Sequence, residues 1–94
     1  MEYSPDTEKH LRILATRDRK AVLNAVEQQL SHEPTAETRN RKPMRPNPIA
    51  PGELRIGNLR VYYDVGHPDR RVSIRAVGIK ERNLVLIGNE MMSV

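Results

Sequence analysis

Arg55, Arg60, Arg75, Lys80 and Arg82 recur on or just after stretches that read as strands, and Arg39, Arg41, Lys42 and Arg45 crowd the segment ahead of them. A guanidinium is planar, permanently charged and pairs two-pronged with phosphate. Four or five such groups on one sheet face can hold an RNA backbone. They can equally stabilise the added negative charge of a five-coordinate phosphate. When RNA is cleaved by its own 2′-hydroxyl, that stabilisation supplies much of the catalysis and no metal is needed. The same pattern also reads as solvated strand-edge charge that prevents edge-to-edge pairing. Periodicity alone favours neither reading.

The charge distribution sharpens the first. The chain carries 16 basic and 12 acidic residues, net +4, but unevenly. Residues 1–38 hold five basic and seven acidic groups, whereas residues 39–82 hold eleven and four, net +7. A basic block confined to one half of a chain points to a polyanionic partner. Other chemistries lack their residues. There is no Cys, which removes disulfides, thiol nucleophiles and cysteine zinc sites. His10, His32 and His67 stand on separate elements without metal-ligand spacing and read as surface histidines. No phosphate-cradling glycine loop and no Gly-x-Ser-x-Gly occurs. With no Phe or Trp and three Tyr, base stacking has little to work with. The N-terminus Met-Glu-Tyr-Ser-Pro-Asp lacks the basic and apolar regions of a secretory signal, so a cytoplasmic protein is expected.

The elements that must position these cations follow from the pattern. Ninety-four residues make a single domain, 1–94. Glu2-Tyr3 reads as a very short strand. Ser4-Pro5-Asp6 is a helix start, with Ser as cap, Pro in the first turn and an acid beside it. Leu11, Leu14 and Ala15, then Val22, Ala25, Val26 and Leu30, recur at helical spacing and predict helices over about 5–15 and 17–31, with Thr16 as a second cap or break. Five of the seven prolines fall in 34–51, which predicts a loop without regular structure. Beyond it come strands over 54–56, 59–65, 72–79 and 84–87, the first two joined by Gly57-Asn58. Leu59, Val61 and Tyr63 alternate onto one face, as do Val72, Ile74 and Ala76. The expectation is an α+β domain: a short N-terminal strand, then two helices packed on an antiparallel sheet of three to four strands. The helices cover the Leu59/Val61/Tyr63 face and leave Arg60, Tyr62 and Arg75 open.

Several segments resemble the RelE/ParE superfamily of bacterial toxins. Leu54-Arg55-Ile56-Gly57-Asn58-Leu59-Arg60-Val61-Tyr62-Tyr63-Asp64-Val65 is similar to that family's "LRxGxxRvxYxV" strand pair, and Val72 to Arg82 to its "vvvhaVGxKxR" strand. Arg41-Lys42-Pro43-Met44-Arg45 is similar to the "xKPLxG" segment ahead of them, and the two upstream helices fit the layout. The resemblance covers about residues 2–87. It implies a microbial-ribonuclease-like fold, a cognate antitoxin as partner, and no cofactor or metal. For the RelE branch it implies metal-independent cleavage of mRNA in the ribosomal A site by 2′-hydroxyl attack. For the ParE branch it implies inhibition of DNA gyrase. A non-enzymic antitoxin- or RNA-binding module is the third reading.

The resemblance also implies roles. Arg60 matches the arginine that contacts the scissile phosphate. Lys80 falls at the basic position after Val-Gly, a candidate phosphate stabiliser or acid, and Arg82 follows it. These three are the candidate catalytic residues. Arg41, Lys42, Arg45, Arg55 and Arg75 are candidate RNA contacts. Glu53 is a candidate general base, as a carboxylate is in some relatives. The chain departs from the RelE pattern in three places. Pro51 and Glu53 stand where that type has lysines, Gly52 where many relatives have a bulky aromatic, and Leu86 near the place of the C-terminal Tyr or His.

Overall fold

The computed structural model describes residues 1–31, 41–44, 49–66, 69–88 and 90–92. Arg39, Arg45, His32 and His67 lie outside them. The chain runs β1 (Glu2–Tyr3), α1 (Pro5–Ile13), α2 (Thr16–Leu30), β2 (Arg41–Pro43), β3 (Gly52–Ile56), β4 (Leu59–Val65), β5 (Val72–Glu81), β6 (Leu84–Ile87) and β7 (Glu90–Met92). The strands form one sheet in the order β2-β3-β4-β5-β6-β7, antiparallel throughout, and β1 joins β5 in parallel. The α+β class is as expected, but the sheet is larger than three to four strands. The additions are β2 and β7, three residues each, too short for alternation to register. Pro43 sits in β2 because that strand is a sheet edge, where a missing donor costs no ladder bond.

Ser4 caps α1, its Oγ accepting from the Thr7 amide at 3.1 Å, with Pro5 in the first turn. Thr7 is fully buried and donates through Oγ1 to the Ile74 carbonyl at 2.9 Å, tying α1 to β5. Ser4→Ala is expected to cost about 1 kcal/mol, read as a drop of about 5 °C in the thermal midpoint. The helix break differs from expectation. Ala15, not Thr16, holds the cap position and makes no side-chain bond. Arg19 instead satisfies the end of α1, donating through Nε to the Leu11 carbonyl at 2.9 Å and through a terminal nitrogen to the Arg12 and Leu14 carbonyls, both at 3.3 Å. His10 is also not a plain surface residue. It is half-buried, and its Nδ1 accepts from the Val77 amide at 3.3 Å. Burial lowers its pKa, with Asp6 opposing.

The main core lies between the helices and one sheet face: Leu11, Leu14, Val22, Val26 and Leu30 against Leu54, Leu59, Val61, Tyr63, Val72, Ile74 and Val77. Two corrections follow. Ala76 does not join Val72 and Ile74. Tyr62 pairs with Ala76 but Tyr63 pairs with Ile74, so Arg75 is an extra residue in β5. That bulge reverses the alternation beyond it, turning Val77 and Ile79 to the core and Ala76 away. Nor is the second face wholly open. Tyr62 is fully buried there in a smaller cluster with Ala50, Ala76, Val85 and Ile87, against which Met44, Ile49 and Met92 pack. Part of the proline-rich segment therefore folds back as cover, closed by a bond from the Met44 amide to the Pro51 carbonyl at 2.8 Å.

Candidate phosphate-binding face

Antiparallel partners share a face, so register decides which cations meet. Arg55 lies opposite Arg60, Arg60 opposite Gly78, and Gly78 opposite Ile87. The next row is Lys42, Glu53, Tyr62 and Ala76, and Lys80 lies opposite Val85. Tyr62, Ala76, Val85 and Ile87 all belong to the cluster away from the helices. Lys42, Glu53, Arg55, Arg60 and Lys80 thus stand on that same face. The Gly57-Asn58 turn has Gly57 at φ +58°, the left-handed region a two-residue hairpin requires. Its Asn58 carbonyl accepts from the Lys80 amide at 2.7 Å. This bond brings the end of β5 against the turn and gathers Arg55, Arg60 and Lys80 at one end of the sheet. Arg82 follows in the β5–β6 turn, exposed, with φ +54°.

The geometry of Arg60 is constrained. Its NH1 donates to the Gly57 carbonyl at 2.8 Å and the Leu59 carbonyl at 2.9 Å, and it has no other partner among the described residues. The side chain is half-buried and aimed by its own hairpin. Placing Arg55 directly across from it sets like charges opposite each other, which costs a sheet stability. Glu53 relieves this, its Oε1 2.8 Å from Arg55 Nε. A buried carboxylate between arginines and a buried phenol makes the centre of the site. Burial raises the Tyr62 pKa most and the Glu53 carboxylate raises it further, while Arg60 and Arg55 oppose.

Not every expected residue joins. Arg41 pairs with Leu54 on the helix side, is buried, and donates to the Gln29 carbonyl at 2.6 Å near the end of α2. It holds the sheet edge to a helix end, apart from the basic face. Arg75, the bulged residue, is ion-paired with Asp64 at 3.1 Å. Arg45 is outside the described residues. Sequence reading passed over Tyr62 as a site residue. Its signal was present, as a phenol alternating onto the same face as Arg60 and directly across the hairpin from Glu53.

A chain of the toxin–antitoxin complex RelBE2 from Mycobacterium tuberculosis has the same fold, with a TM-score of 0.71 and 25% sequence identity over 84% of this chain and 94% of that chain. No family model matches the chain, and no curated protein matches it by sequence. Among the described residues no helix is long and apolar enough to cross a membrane.

Proposed function

With a RelE-type toxin supported by this likeness, we propose that the chain is the toxin half of a toxin–antitoxin pair and cleaves mRNA on the ribosome by 2′-hydroxyl attack. The observation that carries the reading is the register that sets Lys42, Arg55, Arg60 and Lys80 on one sheet face with Glu53 among them. Glu53 takes the 2′-hydroxyl proton. The 2′-oxygen bonds to phosphorus, the bond to the 5′-oxygen breaks, and that oxygen takes a proton, with Lys80 as the candidate donor. Arg60 stabilises the charge that builds on the phosphoryl oxygens between these events. Arg82 and Arg55 hold the flanking backbone. A cognate antitoxin covers this basic face with an acidic or amphipathic segment. The protein works in the cytoplasm, where mRNA and ribosomes are.

Inducing the protein in bacteria and mapping mRNA 5′ ends tests the reading. Growth arrest with cleavages phased to codons is the expected result. Arrest with intact mRNA overturns it, and loss of supercoiling by purified gyrase then supports the gyrase alternative, which the departures at Pro51 and Leu86 motivate. Binding to a non-cleavable RNA is also expected to depend on salt. With about four cations on single-stranded backbone, affinity falls about 50-fold between 50 and 200 mM salt. A salt-independent affinity counts against a phosphate-binding face.

A further inference from the structure

Among the described residues, one edge of β5 has no strand beside it between β1 and β6. β1 pairs with Ser73 and Ile74, and β6 pairs from Gly78 onward. The first turns of α1 fill the gap. The Ser4 amide and Thr7 Oγ1 donate to the Ile74 carbonyl at 3.1 and 2.9 Å, and Ser4 Oγ donates to the Arg75 carbonyl at 3.3 Å. His10 continues this stripe of α1, three residues on. The Lys80 amide points to Asn58, on the β4 side, so the Val77 amide, three residues earlier, points the other way. Its next partner in register is Gly88, but β6 ends at Ile87 and Gly88 turns off at φ +63°. His10 Nδ1 takes the place of a strand carbonyl there, accepting from the Val77 amide at 3.3 Å. Gly88 leaves room for the ring, since a Cβ there would lie 3.3 Å from His10 Cδ2.

Of the three side chains along this edge, His10 alone changes charge near neutral pH. An Nδ1 that accepts a bond is unprotonated. Once the ring is charged both nitrogens are donors, and the Val77 amide loses its acceptor. The residues that follow Val77 include Gly78, opposite Arg60, and Lys80, whose amide closes on the Gly57-Asn58 turn. We propose that His10 is an acid-sensitive latch on β5: neutral, it stands in for β6 beside the bulge and fixes the stretch that carries Lys80; protonated, it releases that stretch. The basic face is then set at neutral pH and loosened by acid, a consequence that rests on the reading of this face as the RNA site. His10 is a positioning residue and touches no substrate. An open groove of about 620 Å³ beside the ring gives protons access, and the charged groups lining it are Asp6 and Lys9 on α1, Arg75 on β5 and Glu90 on β7. Arg75 is itself paired with Asp64. Burial lowers the His10 pKa, and Asp6 offsets this only in part. A histidine whose folded pKa lies below its unfolded one stabilises the fold above about pH 6.5 and loses that contribution as pH falls through the folded value.

His10→Asn, in the full chain, separates the bond from the charge. Its Oδ1 falls near the place of Nδ1 and accepts the same bond, but the amide does not titrate. In NMR spectra of the parent the His10 ring is expected to titrate below about pH 6.5, with the Val77 and Lys80 amide resonances moving at the same midpoint. In His10→Asn both amides stay in place over that range. In His10→Ala, which has no acceptor, they stand at the parent's acid position at every pH. Between about pH 7.5 and 5.5 the thermal midpoint falls about 5 °C further in the parent than in His10→Asn, the size of one hydrogen bond in a domain this small. Over the same interval, single-turnover cleavage on programmed ribosomes falls about five-fold further in the parent. A His10 midpoint at or above about 6.5, amides that ignore its titration, or equal pH dependence in parent and His10→Asn overturns the proposal. If the parent cleaves but the amides do not follow His10, the latch fails while the nuclease reading survives. If the amides follow His10 but the parent cleaves nothing at any pH, the latch survives and the nuclease reading fails.

Discussion

Arg60→Ala is expected to lower RNA cleavage by about 10² to 10³-fold, the cost of removing one preorganised donor from developing charge, and to relieve growth arrest. The size follows from how Arg60 is held. One guanidinium nitrogen is fixed by the Gly57 and Leu59 carbonyls, so the group is aimed before substrate arrives. Little of its stabilising power then goes into ordering. The fold should survive. The two carbonyls lie at a hairpin end where water can replace the guanidinium, and removing Arg60 also removes its repulsion with Arg55. Urea denaturation is expected to show a change within about 1 kcal/mol. Arg60→Lys keeps the charge but loses the fork, so partial recovery is expected. A folded Arg60→Ala protein that still arrests growth and still cleaves would remove Arg60 from the mechanism. Arrest without cleavage in both parent and variant would move the protein to the gyrase class.

Gly78→Ala is expected to destabilise the domain by about 3 kcal/mol or more, a large part of the 5–15 kcal/mol typical of such domains. An added Cβ would lie 2.6 Å from the Leu86 carbonyl oxygen, 2.7 Å from Val85 Cγ1 and 2.8 Å from Ile87 Cγ1. The first of these is backbone of the neighbouring strand, so relief requires opening the β5–β6 ladder. The damage reaches the site, because Gly78 is the cross-strand partner of Arg60. Gly57→Ala is the contrast. Its φ of +58° disfavours a side chain, but the space around it is open. A cost of about 1–2 kcal/mol is expected there. Denaturant midpoints for the two variants check the ranking, and equal effects would mean that close packing at Gly78 is not what the position requires.

The contrast shows where sequence reading stopped. Gly57-Asn58 announced a hairpin from composition alone, since local backbone geometry demands it. Gly78 showed itself only as part of a family-like Val-Gly pair. Its reason is the carbonyl of Leu86, eight residues on in sequence and adjacent only in the sheet. The same division runs through the site. Arg60 was legible as a charged residue alternating on a strand, whereas Glu53 and Lys80 fell just outside the expected strands and came in through the resemblance, β3 and β5 each running further than their apolar pattern. That Arg41 faces a helix end and Arg75 pairs with Asp64 was not legible, because one depends on docking the sheet edge and the other on a bulge.

By itself the sequence determined the two helices, the main antiparallel hairpins, the basic second half and the likeness to RelE-type toxins. These rest on local period, capping and turn chemistry, which act over a few residues. Tertiary structure alone decided the two edge strands, the phase of β5 after Arg75, the burial of Tyr62 under the returning proline segment, and the meeting of Tyr62, Glu53 and Arg55. A single extra residue in one strand exchanges the faces of everything beyond it. Pairwise cross-strand contact has no local signature, so the arrangement that could make a set of arginines into a phosphate site appears only when the sheet is assembled.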